Sequence, residues 1–225
     1  MDNEAFESNL VLLRQMETSD VESCVELHST VLGVEFIVKA GKSFLRSYYL
    51  SWMATSTSIN LVACQGPDIK GVLLGTYDPG THYQEFTRES GSKLAFEMIK
   101  ASIIHPPFGA KLIKTRGVRY LKGILRIARK TKENSTAELR EVAENNRSAE
   151  LTHLFIDPSE QGKGIGQQLV EKMSDICAEK GVHKVVCVTP PAFRAREFYE
   201  KLGFKDVGTT TSKSGEDFVR YELEI

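Results

Sequence analysis

The residues best suited to chemistry lie between Ala149 and Gly166, in the stretch AELTHLFIDPSEQGKGIG. An apolar run ends at Asp157-Pro158, where proline removes a backbone donor, so the run predicts a buried strand that stops at a turn. Glycines then stand at three alternate positions, Gly162, Gly164 and Gly166, before an amphipathic run at helical spacing. Glycine beside a helix start lets a ligand approach free first-turn N–H groups, so the stretch predicts an anion site, most naturally for phosphate.

The glycine spacing excludes the two common nucleotide-binding patterns. Gly162-Lys163 is followed by Gly164, whereas a GxxxxGK[ST] loop needs Ser or Thr at that place. The three glycines give GxGxG, whereas the dinucleotide fingerprint is GxGxxG. The stretch therefore gives only weak support to either nucleotide-binding pattern.

Two segments together carry a resemblance to a known family. Gln161, Gly164 and Gly166 meet the pattern [QR]xxGx[GA], and AREFYEKLGF, which contains Phe198 and Tyr199, meets AxxFYxxxGF about thirty residues later. In this order the two motifs resemble those of the GNAT superfamily of acyl-CoA N-acyltransferases. One departure is Ala192, where members of the family often carry Asn that contacts the pantetheine arm.

The resemblance implies where acetyl-CoA binds. Its diphosphate would lie on the turn and the helix start, formed by Gln161, Gly162, Lys163, Gly164, Ile165, Gly166 and Gln167. Its pantetheine arm would pair with the preceding strand through backbone groups of Leu154, Phe155 and Ile156. A bulge there would aim a backbone N–H, that of Leu154, at the thioester oxygen and stabilise the charge that develops on it.

Three side chains are candidates for proton transfer. Glu150 is the first candidate for the base because Ala149-Glu150-Leu151 is similar to the AEI segment that carries a catalytic Glu in histone acetyltransferases; the alternative is that Glu150 only begins a strand and faces solvent. His153 is the second candidate, with a satisfied core histidine as its alternative, and water chains could also replace a single base. Tyr199 matches the general acid that protonates the departing thiolate, with core packing as its alternative role. No metal is expected.

Composition and cysteine spacing indicate a globular protein with reduced thiols. The chain of 225 residues has a net charge of −1 and 41% hydrophobic residues, which allows one sizeable core and gives no global attraction to nucleic acid or membrane. Its four cysteines have no CxxC or metal-type spacing, so we expect reduced core thiols in a cytoplasmic protein. The first residues, MDNEAFES, lack the apolar region of a signal peptide, and no apolar run reaches the length of a membrane span.

The remaining pattern predicts a single α/β domain over residues 1–225. A strand at 10–16, a helix from 21 to 31, a helix at 44–53 and a hairpin at 59–64 and 70–77 precede the strand that starts at 149; helices and strands at 184–188, 193–202, 204–209 and 218–223 follow. The resemblance implies a GNAT fold, a mixed sheet with helices on both faces, which splays around the cofactor cleft. Residues 81–146 form an insertion before the motif strand, with predicted helices at 94–104 and 118–130.

The insertion is basic. Residues 100–132 contain ten Lys or Arg and no Asp or Glu, and the helix predicted at 118–130 is amphipathic. Its basic face would be solvated, attract an anionic substrate, or contact an anionic membrane. The resemblance implies acetyl transfer to a primary amine, and the basic insertion favours a small-molecule acceptor, an amino sugar or nucleotide-linked amino sugar first. The alternatives are acetylation of a protein lysine or N-terminus, and a CoA-binding regulatory module. No nucleic acid is expected as a partner, and a homodimer stays open.

Overall fold

The computed structural model describes residues 11–112, 147–191, 194–211 and 217–225. These ranges contain seven strands, seven α-helices and two short 3-10 turns, at Thr18–Asp20 and Pro158–Glu160. The strands are β1 (Leu12–Gln15), β2 (Ser58–Gln65), β3 (Asp68–Thr76), β4 (Ala149–Ile156), β5 (Lys184–Thr189), β6 (Lys205–Thr211) and β7 (Asp217–Glu224). The helices are α1 (Val21–Val31), α2 (Phe36–Lys39), α3 (Lys42–Met53), α4 (Pro79–Ile104), α5 (Pro106–Leu112), α6 (Ile165–Glu179) and α7 (Ala195–Lys201).

One mixed sheet contains all seven strands, in the order β1-β2-β3-β4-β5-β7-β6. Every neighbouring pair is antiparallel except β4 and β5, which are parallel. The parallel pair is joined only where Ala149–Leu151 lies beside Val185–Cys187, although β4 continues to Ile156. Among the described residues, β4 beyond Leu151 therefore has a neighbouring strand on the β3 side alone, and the predicted splayed sheet is confirmed.

Alternation along the strands divides the core into two layers. Val62, Leu74 and Phe155 face α1 and α3 in one hydrophobic cluster. Leu73 and Leu151 face α6 on the opposite side of the sheet. The predicted arrangement of helices on both faces is therefore present.

Two glycines of β3 let α6 approach the sheet. A Cβ on Gly75 would lie 2.8 Å from both the Glu150 carbonyl oxygen and Met173 Cε, and one on Gly71 would lie 2.7 Å from Ile156 Cδ1. Because real Cβ contacts are longer than this, a larger residue at either place would push α6 away from β4.

The insertion after β3 differs from its prediction where it is described. The helix predicted at 94–104 is only the end of α4, which has 26 residues and begins at Pro79. Asp78 caps it by accepting a bond from the Thr81 N–H, and proline fits the first helical position because its missing N–H is not needed there. For the same reason Pro106 can begin a second helix, α5, where the sequence predicted none.

The helix predicted at 118–130 lies outside the described residues. In the described ranges, no helix has the length and apolar character to cross a membrane. The insertion therefore contributes a helical pair, α4 and α5, to the part of the chain that the structure describes.

The remaining elements follow the sequence prediction closely. β7 lies between β5 and β6, so the final hairpin extends the sheet beyond the parallel pair. All four cysteines, Cys24, Cys64, Cys177 and Cys187, are buried free thiols, as expected.

Candidate active site

The glycine turn leaves the start of α6 open to a ligand. Gly162 and Gly164 have φ values of 82° and 84°, a left-handed conformation that L side chains adopt with strain. Gly164 is the N-cap of α6 and offers no side-chain acceptor to the first helical N–H groups, and residues 161–164 are exposed. Uncapped amides at the positive end of a helix fit an anionic group such as a diphosphate.

Two further features shape the turn. Asp157 closes it from the strand side, accepting bonds from the Ser159 N–H at 2.9 Å and the Ser159 hydroxyl at 2.7 Å. Gly166 lies inside the first turn of α6, where an added Cβ would be 3.2 Å from the Phe198 ring. The two sequence motifs are therefore in contact, since the small residue of the first accommodates an aromatic residue of the second.

The edge of β4 that faces away from β3 is the predicted place for an extended ligand. The Asp157 N–H donates to the Lys70 carbonyl of β3 at 2.8 Å. Because backbone groups alternate along an antiparallel ladder, Phe155 also faces β3, whereas Leu154 and Ile156 face the opening. Of the three predicted backbone positions, Leu154 and Ile156 can thus reach a ligand, whereas the backbone groups of Phe155 face β3 within the sheet.

A bulge interrupts β4, but at an earlier residue than expected. Leu74 lies opposite His153 and Gly75 lies opposite Leu151, so Thr152 is the extra residue. Leu154 stays in register, opposite Leu73. The bulge falls directly after the last residue that pairs with β5, and it turns the following residues at the point where the two strands part.

Glu150 lies at this point and is half-buried. It pairs with Val186 of β5 along the backbone, while its side chain accepts a bond from the Tyr83 hydroxyl at 2.7 Å. Thr152 donates a second bond, at 3.2 Å, to the same oxygen, Oε1. Burial, together with the negative charge of Glu150, raises the pKa of Tyr83 above its usual range, so the phenol remains a donor. The solvent-facing alternative for Glu150 does not describe this arrangement.

His153 lies one step further along β4, in a cluster of polar side chains. Its Nε2 is 3.0 Å from the Tyr48 hydroxyl, and its Nδ1 is 3.7 Å from Glu35 Oε2. Burial lowers the pKa of His153 to about 4, against the opposing effect of the Glu35 charge. His153 is therefore a neutral imidazole at neutral pH, and both of its ring nitrogens already face polar side chains, those of Tyr48 and Glu35.

The cluster also contains His28 of α1, which is fully buried. Its Nε2 is 3.2 Å from Glu35 Oε2, and its Nδ1 is 2.9 Å from the Tyr49 hydroxyl. Burial alone would raise the pKa of Glu35, but the bond with His28 and the nearby imidazoles lower it overall, so Glu35 is a carboxylate at neutral pH.

Tyr199 lies on the other side of the sheet and is buried, with 7% of its surface exposed. Its hydroxyl contacts the Cys187 thiol, and its ring stacks on Tyr221 with centroids 5.7 Å apart. Burial raises the pKa of Tyr199, and it raises that of the Cys187 thiol to about 12, so both groups stay protonated at neutral pH. Cys187 is the last residue of β5 that pairs with β4, so the phenol lies near the start of the opening.

The sequence did not identify four residues of this site: His28, Glu35, Tyr48 and Tyr83. Tyr48 lies in the helix that was predicted at 44–53. No spacing links the other three residues to β4, because three separate helical segments bring them there.

Comparison with known proteins agrees with this arrangement. The family model described as an acetyltransferase (GNAT) domain matches residues 130–225. No curated protein sequence matches the chain.

Among solved structures, the ribosomal-protein-S18-alanine N-acetyltransferase from Escherichia coli is 13% identical, with a TM-score of 0.53 over 96% of this chain and 94% of that one. The PaiA N-acetyltransferase from Thermoplasma acidophilum in complex with coenzyme A is 15% identical, with a TM-score of 0.54 over 96% and 99%. An aminoglycoside 6'-acetyltransferase type Ii is 13% identical, with a TM-score of 0.56 over 95% and 96%.

A mixed sheet that parts between its central parallel strands, with a glycine turn at the end of the first, is the fold of these acetyltransferases. Residues 130–225 therefore match the acetyltransferase (GNAT) domain that the two motifs predicted, and the chain shares its fold with these acetyltransferases.

Proposed function

We propose that this protein transfers the acetyl group of acetyl-CoA to a primary amine of a small molecule, by direct attack in a ternary complex. The observation that carries the proposal is the opening between β4 and β5. It has an uncapped helix N-terminus at one end and Glu150, with its phenolic neighbour, at the other. A phosphate-bearing donor and an amine would therefore meet at β4.

The proposed donor site uses backbone groups. Amides at the start of α6 would bind the diphosphate, with Gly162 and Gly164 keeping the approach free of side chains. The β4 edge at Leu154 and Ile156 would pair with the pantetheine arm. The Leu154 N–H would donate to the thioester oxygen as negative charge develops on it.

The proposed proton path uses two side chains on opposite faces of the sheet. The attacking amine must lose a proton, since an alkyl amine with a pKa near ~10.4 is charged at neutral pH. Glu150 would accept that proton through Oε2, because both of its recorded side-chain bonds end on Oε1. Tyr199 would donate a proton to the departing thiolate, for which it would have to exchange its contact with Cys187 for one with the thioester sulfur.

The lining of the acceptor side supports a cationic amine. Glu35 and Glu150 provide carboxylates on the face of the sheet that α1 and α3 cover, and Tyr48 and Tyr83 provide phenols beside them. The insertion helix α4 supplies Tyr83, so it borders the same space, which suits a small acceptor better than a long peptide. An amino sugar or nucleotide-linked amino sugar remains our first candidate, because residues 100–132 are basic and would favour an anionic substituent.

Acetylation of a protein amine is the second candidate. It is favoured by one comparison, since the Escherichia coli neighbour is named for the alanine of a ribosomal protein. The four buried thiols support a reducing, cytoplasmic location, which we propose for either substrate.

The test is a thiol-release assay with acetyl-CoA against amino sugars, nucleotide-linked amino sugars, polyamines and peptides with free N-termini or lysines. Calorimetry measures acetyl-CoA binding in parallel. We expect turnover with a small amine, and we expect Gly164→Glu to abolish acetyl-CoA binding by placing a side chain and a negative charge at the helix start. Gly181→Glu is the matched control, because Gly181 has a φ of 69° in open space at the other end of α6.

Two results would contradict the proposal. If acetyl-CoA gave no binding heat, or if Gly164→Glu bound it as well as Gly181→Glu, the donor site would be wrong. If acetyl-CoA released its thiol only in the presence of peptides, the proposal of a small-molecule acceptor would be wrong and a protein acceptor would take its place.

A further inference from the structure

Three potential metal ligands converge beside the acceptor side of β4. Their ligand atoms are His28 Nε2, Glu35 Oε2 and His153 Nδ1, and all three lie within 4.8 Å of one another. The carboxylate oxygen is 3.2 Å from the first nitrogen and 3.7 Å from the second. In a tetrahedral site with ligands at ~2.0–2.1 Å from zinc, neighbouring ligand atoms are about 3.3 Å apart. The two distances from the Glu35 carboxylate oxygen are close to this spacing, and the two imidazole nitrogens, within 4.8 Å of each other, would move closer together around the ion.

The longer distance distinguishes this cluster from an ordinary hydrogen-bonded network. At 3.7 Å, His153 Nδ1 and the Glu35 carboxylate are beyond hydrogen-bond distance of each other, although each faces the other. An ion between them would bind both atoms at once, together with His28.

The second nitrogen of each imidazole is already oriented by a phenol. His28 Nδ1 is 2.9 Å from the Tyr49 hydroxyl, and His153 Nε2 is 3.0 Å from the Tyr48 hydroxyl. Metal-bound histidines usually have their other ring nitrogen held in this way, which fixes the ring and directs the free lone pair at the ion. Both phenols come from α3, at consecutive positions.

The ligands come from three elements that the core holds in place. His28 lies in α1, Glu35 is the N-cap of α2, and His153 lies in β4. The exposed fractions of the side chains are 0% for His28, 11% for His153 and 32% for Glu35. Three fixed ligands with one partly open side leave a fourth position for water or for a group of the acceptor.

We propose that His28, Glu35 and His153 form a binding site for Zn²⁺ beside the acceptor cleft. Two imidazole nitrogens and one carboxylate oxygen are a donor set for zinc and related transition metals, whereas Mg²⁺ and Ca²⁺ prefer oxygen alone. The bound ion joins α1, α2 and β4. The sequence expectation of no metal came from cysteine spacing and the family resemblance, neither of which concerns these three residues.

The test is calorimetric titration of the chelator-treated full chain with Zn²⁺, with Mg²⁺ as a second titrant and Co²⁺ as a spectroscopic probe. We expect one Zn²⁺ per chain, no heat with Mg²⁺, and visible absorption of tetrahedral Co²⁺. Glu35→Gln and His153→Gln should each weaken Zn²⁺ binding at least about 100-fold, and Tyr48→Phe about 10-fold to 100-fold through the lost orientation of His153.

His183→Gln is the matched control, because His183 is exposed and lies just before β5, away from the cluster. Circular dichroism verifies that each variant folds, and Glu35→Gln is the leading variant because its side chain is the least buried of the three ligands. The proposal is overturned if Zn²⁺ does not bind, or if the ligand variants bind it as tightly as His183→Gln does. Acetyl-CoA binding should be the same in Glu35→Gln and the unchanged protein, so a failure here is distinct from a failure of the proposed reaction.

Discussion

Replacing Glu150 by Gln tests the proposed base with little change in shape. Both recorded side-chain bonds of Glu150 end on Oε1, from the Tyr83 hydroxyl at 2.7 Å and the Thr152 hydroxyl at 3.2 Å. A Gln side chain can keep both bonds on its carbonyl oxygen and place its NH₂ group where Oε2 was. We therefore expect the free energy of unfolding to change by less than about 1 kcal/mol, while the oxygen that would accept the proton is lost.

The expected loss of activity follows from the charge state of the acceptor. An amine with a pKa of ~10.4 is neutral in only about 1 molecule in 2,500 at pH 7, so an enzyme without a base depends on that small fraction. Loss of a positioned general base lowers the rate about 10²–10⁴-fold, and we expect kcat of Glu150→Gln to fall within this range at pH 7. The deficit should narrow as the pH rises, because the neutral fraction of the amine grows about tenfold per pH unit below its pKa.

The assay is steady-state thiol release from pH 6 to 9, with acetyl-CoA binding measured by calorimetry. Tyr83→Phe is the control, because it removes the 2.7 Å bond to Glu150 but keeps the carboxylate; its loss of kcat should be much smaller. If folded Glu150→Gln retained kcat within about 3-fold of the unchanged protein at pH 7, well short of the loss expected for a general base, the role of Glu150 would be refuted.

Three further predictions concern the acid, the packing of α6 and the response to pH. Tyr199→Phe should lower kcat about 100-fold and leave the Kd for acetyl-CoA unchanged. A weaker affinity for acetyl-CoA with an unchanged kcat would indicate that Tyr199 only packs in the core. Gly75→Ala should destabilise the fold by about 1–3 kcal/mol in urea unfolding, because its Cβ would lie 2.8 Å from the Glu150 carbonyl oxygen. Gly91→Ala should stabilise the fold by up to about 1 kcal/mol, because Gly91 lies inside α4 and its Cβ would be 3.6 Å from the nearest atom. Equal urea midpoints for the two variants would contradict this prediction. Burial lowers the pKa of His82 to about 4. Between that value and the unfolded pKa of ~6.5 only the unfolded state binds the proton, so His82 should lower the free energy of unfolding by up to about 1.4 kcal/mol per unit of acidification. Because the pKa of His153 is lowered to a similar value, His82→Asn should reduce the total slope by this amount and leave the contribution of His153 in place.

Local signals in the sequence determined the framework and the donor side of the site. The glycine turn could be placed between β4 and α6 because Pro158 ends a strand, and Gly162 and Gly164 permit left-handed backbone before a helix. Strand alternation and helical spacing act over a few residues, so most elements were predicted within a few positions. The exceptions were α4, which begins at Pro79 although its helix was predicted from residue 94, and α5, which begins at Pro106 where no helix was predicted.

Only the tertiary structure decided how the acceptor side is built. Tyr83 meets Glu150, and Glu35 meets His153, across separations of 67 residues and more than a hundred residues. No local pattern encodes such contacts, because they depend on how α1, α3 and α4 pack on one face of the sheet. The bulge at Thr152 is another such outcome, since the register between β3 and β4 fixes it. The sequence predicts where a phosphate-bearing donor would bind, whereas the packing of distant helices decides which side chains lie beside β4 on the acceptor side.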